Sequence, residues 1–220
     1  MHHVVITGAN RGIGLELARH YQRQGWQVTG VCRGTSPELD AAATSVISGI
    51  DVASDADVAR LAAALAGKQI DLLINNAGVL TNETLDALDY DAIRRQFDIN
   101  TIAPLRVCAA LLPNLKKGSK IANITSRMGS IADNDSGGYY GYRASKAALN
   151  AIGKSLANDV KDRGIAVIQL HPGFVKTRMV NFAGTITPEQ SAAGLAQRIA
   201  ELTLDKTGSF KHCNGDDLPW

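Results

Sequence analysis

Cysteine is scarce in this chain. Cys32, Cys108 and Cys213 are its only three. They are odd in number and far apart, with no Cys-x-x-Cys pair and no His/Cys cluster at metal-ligand spacing. A disulfide framework and a structural metal site are thereby excluded, and reduced thiols in a cytoplasmic protein are expected. Long apolar runs are missing too, since none approaches the ~18 residues that a membrane span requires. The opening Met1-His2-His3 passes straight into β-branched residues, leaving no space for the charged and apolar regions of a signal peptide. Nor is there an excess of one charge. With 23 Lys and Arg against 21 Asp and Glu, a formal charge of +2, and no basic cluster larger than a pair such as Lys116-Lys117, the chain lacks the electrostatic footprint of a nucleic-acid partner. Internal repeats and low-complexity tracts are likewise absent.

What is present is the composition of a globular protein: 220 residues, 45% apolar and 20% charged. That length supports one well-buried core and is short for two, so residues 1–220 are expected to form a single domain. Strand-like and helix-like stretches alternate along it, which predicts an α/β fold. The first unit is the most informative. His3-Val4-Val5-Ile6-Thr7 is a β-branched run followed by Gly8-Ala9-Asn10-Arg11-Gly12-Ile13-Gly14 and then by the helical Leu15-Glu16-Leu17-Ala18. A strand, a glycine turn and a helix start in that order make an anion site, because free N–H groups and the positive end of the helix dipole point at the turn. Gly8, Asn10, Arg11, Gly12, Ile13 and Gly14 are therefore candidates for binding a dinucleotide, although a lone turn of this type also occurs without a ligand.

About twenty residues on, where an NAD site carries an acid for the ribose 2′-hydroxyl, stands Arg33. A guanidinium suits a 2′-phosphate, so NADP(H) is favoured and NAD(H) is possible; a solvated strand-end arginine is the plain alternative. Asp51-Val52, after the third strand-like run, is suited equally to accepting the adenine amino hydrogen and to capping a turn. The apolar Ile70-Asp71-Leu72-Leu73-Ile74 reads as a central parallel strand ending at Asn75-Asn76-Ala77-Gly78. Those amide and small residues let the backbone turn beside a ligand while the side chains tie strands together, or form an Asx turn. Between residues 90 and 112 a helical period is interrupted at Asn100-Thr101-Ile102-Ala103-Pro104. Pro104 has no N–H to give the preceding turn, which predicts a kink that turns Asn100 inward.

Lys120 to Ser126 reads as another strand, with Ser126 on the carboxyl edge where open α/β sheets bind ligands. A Gly/Asp/Asn/Ser-rich loop from Arg127 to Gly138 is long enough to bring that serine back to Tyr142-Arg143-Ala144-Ser145-Lys146. Tyr142 and Lys146, four apart at a helix start, share one face. A phenol has an ordinary pKa of about 10, so one working near pH 7 needs roughly 4 kcal/mol of help for its anion, and a fixed neighbouring cation supplies help of that sign. After a further strand, Pro172-Gly173 forces a turn, and Val175 and Thr177 can offer backbone and hydroxyl groups to a carboxamide. His171 reads as a stacking residue of that turn, residues 178–186 as a candidate lid, and Trp220 as an apolar anchor on this or a neighbouring subunit.

Taken together, Thr7-Gly8-x-x-x-Gly12-x-Gly14, Asn75-Asn76-Ala77-Gly78, Asn100, Ser126, Tyr142-x-x-x-Lys146 and Pro172-Gly173 resemble the short-chain dehydrogenase/reductase family over essentially the whole chain. The glycine turn, Arg127 to Ile131 and the Leu218-Pro219-Trp220 ending resemble its compact carbonyl-reductase-like branch, which includes sniffer and C-factor. That resemblance implies a single Rossmann domain with a doubly wound parallel sheet of about seven strands. The glycine turn, Asp51, Val52, Asn76, Ala77 and Gly78 would lie around the adenosine and diphosphate. It further implies that Ser126 hydrogen-bonds the substrate oxygen and Tyr142 acts on it as acid or base. Lys146 would hold the nicotinamide ribose and lower the phenol's pKa, and Asn100 would support a water leading to Lys146. The expected activity is NADPH-dependent reduction of a small carbonyl compound to an alcohol, without a metal, in a homo-oligomer built on helices at 90–112 and 142–161. A cofactor-binding, C-factor-like signalling or scaffold protein is the rival. An S-adenosylmethionine enzyme on a similar sheet is a third reading, but it has no use for the Tyr-Lys pair.

Overall fold

The computed structural model describes all of residues 1–220. Seven strands form one sheet: β1 (His3–Thr7), β2 (Gln27–Val31), β3 (Ser45–Ile47), β4 (Ile70–Asn75), β5 (Leu115–Ile124), β6 (Ala166–His171) and β7 (Ser209–His212). Their order is β3-β2-β1-β4-β5-β6-β7, and every pair is parallel. The helices α1 (Gly12–Arg23), α2 (Pro37–Ala42), α3 (Asp55–Ala64), α4 (Tyr90–Phe97), α5 (Ala103–Leu111), α6 (Tyr140–Lys161) and α7 (Pro188–Glu201) cover both faces. The alternation of side chains along a strand decides which helices each face receives. Val4 and Ile6 pack with α1, α2 and α7 in one apolar cluster. Val5 joins α3, α5 and α6 in the other. The strand order reverses between β1 and β4, and at such a switch point open α/β sheets leave a crevice outside the strands' carboxyl ends.

Several elements depart from the sequence reading in extent. Strand β5 begins at Leu115, well before Lys120, because Leu115 pairs with Ile70 across an irregularity in the β4–β5 register. Strand β3 is only three residues long and sits at the sheet's edge. The interruption expected at Asn100 is a π-helical segment, Asp98–Ile102, lodged between α4 and α5. Pro104, the second residue of α5, cannot donate to the Asn100 carbonyl, the physical reason for a wider turn there.

A ladder of buried amides runs beneath the carboxyl edge. Asn75 Nδ2 donates to Asn123 Oδ1 at 2.9 Å, and Asn123 Nδ2 donates to Gln169 Oε1 at 2.9 Å. It links β4, β5 and β6, and α6 lies directly on its far end. A Cβ at Gly153 would stand 2.1 Å from Gln169 Oε1. In an exposed helix interior Gly→Ala gains about 1 kcal/mol. Here the methyl has no room, and Gly153→Ala is expected to lower stability by about 1–3 kcal/mol through overpacking. Urea unfolding reads this directly, as a lower midpoint at unchanged slope.

Candidate active site

The glycine turn is closed by the end of β4. Thr7 Oγ1 accepts the N–H groups of Asn76 (3.0 Å) and Ala77 (3.1 Å), while Asn76 Nδ2 donates to the carbonyls of Thr7 (3.0 Å) and Gly8 (3.1 Å). The Asn76 side chain thus does what the sequence suggested, tying strands at the crevice. Gly8 has φ +66°, and a Cβ there would lie 2.9 Å from Ala77 Cα; at Gly14 it would lie 2.4 Å from the Gly8 carbonyl. These contacts explain glycine at both positions. Helices α2, α3, α4 and α7 are each capped by their own Ser36, Ser54, Asp89 or Thr187 and carry an acid in the first turn. Helix α1 has neither. Its first-turn donors suit an anion from outside the chain, so the turn fits a dinucleotide diphosphate.

Around this turn the candidates gather. Asn10 Nδ2 donates to Gly34 O at 2.8 Å, and Ser36 Oγ donates to Asn10 O at 3.1 Å. These bonds make neighbours of Arg11 and Arg33, both exposed and neither in an ion pair. Ile13 is half-buried beside them. Asp51 Oδ1 accepts from Ala53 N at 3.0 Å, which realises the turn-forming alternative, and Val52 is buried next to it. On the far side, Pro172-Gly173 leads to a clip in which Val175 bridges Ile186. Thr177 reaches back over the turn, its Cγ2 3.5 Å from where a Gly12 Cβ would be. Residues 178–186 are therefore anchored at their base, with Lys176 N donating to Ile186 O at 2.9 Å.

Ser126, Tyr142, Lys146 and Asn100 are only 5%, 8%, 4% and 0% exposed, and they meet on the carboxyl edge. Ser126 follows β5, and its Oγ accepts from Met128 N at 3.1 Å. The short turn Arg127–Gly129 then lies flat on α6, where a Gly129 Cβ would be 2.7 Å from the Lys146 carbonyl carbon. Lys146 Nζ donates to the Ile124 carbonyl at 2.9 Å and lies 5.7 Å from the centre of the Tyr142 ring. A Cβ at Gly78 would come within 3.2 Å of Asn100 Oδ1 and 3.7 Å of Lys146 Nζ. Asn100 Oδ1 accepts from Val79 N (2.9 Å), and its Nδ2 donates to Val79 O (2.9 Å) and to Ser145 Oγ (3.1 Å). Ser145 Oγ in turn donates to Tyr142 O at 2.9 Å. Ser145 and Thr7 thus support the site although neither was a candidate; the i, i+3 spacing of Ser145 from Tyr142 is the signal that marks it.

The electrostatics correct one expectation. Burial pushes the Tyr142 phenol up to about 12, opposed only by a hydrogen bond with Ser126. The amine of Lys146 is pulled down to about 8 by burial. Desolvation disfavours charge on both groups, and in the cofactor-free protein it outweighs the help expected from lysine to phenol. His171 is buried, stacked edge-on against His212 at 4.8 Å, and its pKa falls to about 3, mainly through burial. It stays neutral and structural, as its place in the turn suggested. Trp220 packs on Phe210 of its own chain at 5.3 Å.

A parallel sheet with this order and a glycine turn at its switch point defines a Rossmann-type fold. The model of the short chain dehydrogenase family matches residues 2–185, and the chain belongs to that family. It is 42% identical over 223 residues, 99% of each chain, to 1-hydroxy-2-glutathionyl-2-methyl-3-butene dehydrogenase of Rhodococcus sp. (strain AD45). It is also 42% identical over 154 residues to the C-signal protein of Myxococcus xanthus, covering 69% of this chain and 93% of that one. Among solved structures, the NADPH-bound carbonyl reductase from chicken fatty liver superposes with a TM-score of 0.91 at 30% identity, covering 100% of this chain and 99% of the other. Carbonyl reductase Sniffer of D. melanogaster does so at 0.91 and 29%, over 100% of both. The doubly wound sheet and the sniffer- and C-factor-like branch expected from the sequence are borne out.

The sign of the phenol's shift is measurable. A raised pKa keeps the proton on Tyr142 beyond the ordinary value of 10. In an ultraviolet phenolate titration of the cofactor-free protein, wild type and Tyr142→Phe are expected to coincide up to about pH 11 and to diverge above it.

Proposed function

We propose that this chain reduces a carbonyl compound, an aldehyde, ketone or quinone, to an alcohol with NADPH. The observation that carries the reading is the burial of Ser126, Tyr142 and Lys146 together beside an uncapped helix start at the sheet's switch point. NADPH, when bound, supplies the hydride. Gly8, Gly12, Gly14 and the first turn of α1 would hold its diphosphate, and Arg11 and Arg33 its 2′-phosphate. Asp51, Val52, Asn76, Ala77 and Gly78 would line the adenosine side, with Pro172, Gly173, Val175 and Thr177 at the carboxamide. An ammonium has three donors, and Ile124 O is the one protein acceptor of Lys146 Nζ; the remaining N–H groups suit the hydroxyls of the nicotinamide ribose. Ser126 and Tyr142 donate to the substrate oxygen, and Tyr142 gives up its proton as negative charge develops there, which stabilises the transition state more than the ground state. A phenol held neutral by burial is already in the form this acid needs. Asn100 supports the return of a proton toward Lys146. NAD(H) remains usable, because its diphosphate would meet the same glycine turn, although no carboxylate from Arg33 to Ser36 would select it.

The C-signal likeness favours one second reading, a cofactor-binding signalling or scaffold protein with little turnover. A panel of aldehydes, ketones and quinones offered with NADPH separates the two: cofactor binding without oxidation by any of them favours the second. We place the protein in the cytoplasm on its three buried free thiols. We assign it a homodimer or tetramer on Tyr90, Ile102 and Leu105, which stand 63%, 42% and 41% exposed on the α4–α5 stretch. Light scattering tests the oligomer.

Tyr142→Phe is expected to lower kcat by ~10²–10⁴-fold, the range for a lost general acid, with the NADPH Kd almost unchanged; retained turnover would refute the assignment. Lys146 works as a cation and loses its proton as pH rises through about 8. The kcat/KM for carbonyl reduction is therefore expected to be level below that pH and to fall above it. Arg33→Asp is expected to reverse the preference toward NADH, read as the ratio of kcat/KM for the two cofactors.

A further inference from the structure

Glu83 lies outside every motif, yet its carboxylate is buried beside the catalytic helix. It is 2% exposed and has no cationic partner. A carboxylate taken from water without a counter-ion is costly unless hydrogen bonds replace its hydration. Three donors do so. Oε2 accepts the N–H of Gly141 at 3.1 Å, and Oε1 accepts from Gln96 Nε2 at 2.9 Å and from the Thr81 hydroxyl. The Glu83 main-chain carbonyl also accepts from Tyr139 N at 2.9 Å. Helix α6 needs such help at its start. Its N-cap residue, Tyr139, sits in the left-handed region at φ 51° and offers no side-chain acceptor. Gly141 is the second residue of the helix, the position whose N–H a capping side chain ordinarily satisfies. Here the acceptor arrives from a loop 58 residues earlier, and its negative charge faces the positive end of the 22-residue helix.

The bond has a second end. Gln96 is fully buried on α4, immediately before the π-helical segment that presents Asn100. Its Oε1 accepts from Thr81 N at 3.2 Å, and a Cβ at Gly141 would stand 2.3 Å from its Nε2. We infer that Glu83 is the positioning residue of the catalytic helix. Its carboxylate holds the peptide next to Tyr142 and, through Gln96, fixes that peptide against the segment carrying Asn100. The inference rests on the reading of Tyr142 as the acid, because only then does its placement limit the rate.

An exchange of partners tests it. Glutamine at position 83 offers one acceptor oxygen, so in Glu83→Gln either the Gly141 N–H or the Gln96 amide faces an NH₂ group. In Gln96→Glu two carboxylates face each other. In the double variant the amide at 83 donates to the carboxylate at 96 and keeps its oxygen for Gly141, with net charge unchanged. Each single variant is expected to lose about 10²-fold in kcat, the scale of an ångström-sized misplacement, with the NADPH Kd within about twofold. The double variant is expected to recover most of that loss. Amide hydrogen exchange over residues 139–146, followed by mass spectrometry without substrate, is expected to quicken in the single variants and to return to the wild-type rate in the double. Wild-type kcat in Glu83→Gln, faster exchange with no change in kcat, or a double variant no better than the singles would each overturn the inference. If the wild-type chain reduces no carbonyl at all, the proposed activity fails, and the exchange rates alone still decide whether Glu83 anchors the helix.

Discussion

A phenol and an amine buried side by side, with no carboxylate to balance them, is the constraint around which the edge of this sheet is arranged. Burial acts on the two in opposite directions along the pH scale and in one direction physically, since it opposes charge on either. The phenol at about 12 and the amine at about 8 are the result. Bringing such a phenol to half-ionisation at pH 7 means about five units, on the order of 7 kcal/mol. A fixed unit charge 4 Å away in a medium of effective dielectric 20 supplies about 4 kcal/mol. The cation alone does not close that gap, so in the cofactor-free chain the Tyr142 phenol keeps its proton near neutral pH. The reduction proposed above would use the form that burial already favours; the reverse oxidation near neutral pH would need a further contribution from the bound cofactor or substrate.

That pair stays buried because the elements on either side of it are rigid for separate reasons. Beneath it, the amides of Asn75, Asn123 and Gln169 bind three strands together side chain to side chain. On the flank, Thr7 and Asn76 exchange hydrogen bonds that weld the glycine turn to the end of β4. Across the crevice, the turn after Ser126 packs on α6 so closely that a Gly129 side chain would collide with the Lys146 backbone. Each device involves only a few side chains, and none requires a ligand. Geometry set in advance in this way is what lets oriented hydrogen bonds act on developing charge without reorganisation.

The parts legible in the sequence are those whose cause is local. The glycine turn follows from a strand, a helix and the steric limits at Gly8 and Gly14. The Tyr142–Lys146 face follows from helical spacing, and the break at Asn100 from the missing N–H of Pro104. Where a residue type served two local purposes, as with Asp51, sequence left both standing and the structure shows the turn contact to Ala53. The direction of the Tyr142 shift was not legible. Spacing reveals that a lysine is near, but the competing cost is set by how much water the assembled sheet, loop and helix exclude, which no single segment encodes.

Glu83 marks the limit of local reading more sharply. Two of its three partners lie 13 and 58 residues away in the chain, and Thr81-Asn82-Glu83-Thr84 has neither the periodicity nor the residue types of a catalytic motif. What the sequence does show is a deficit on the other side. The stretch Gly137-Gly138-Tyr139-Tyr140-Gly141 leads into a long helix with no Ser, Thr, Asp or Asn where a cap belongs, although α2, α3, α4 and α7 all have one. Four N–H groups at a helix start need acceptors, so an uncapped start implies one from outside the segment. For α1 that acceptor is suited to be a ligand, and for α6 it is a side chain from the loop after β4. The same deficit has two different remedies, and only the assembled fold distinguishes the end kept free for a cofactor from the end already occupied.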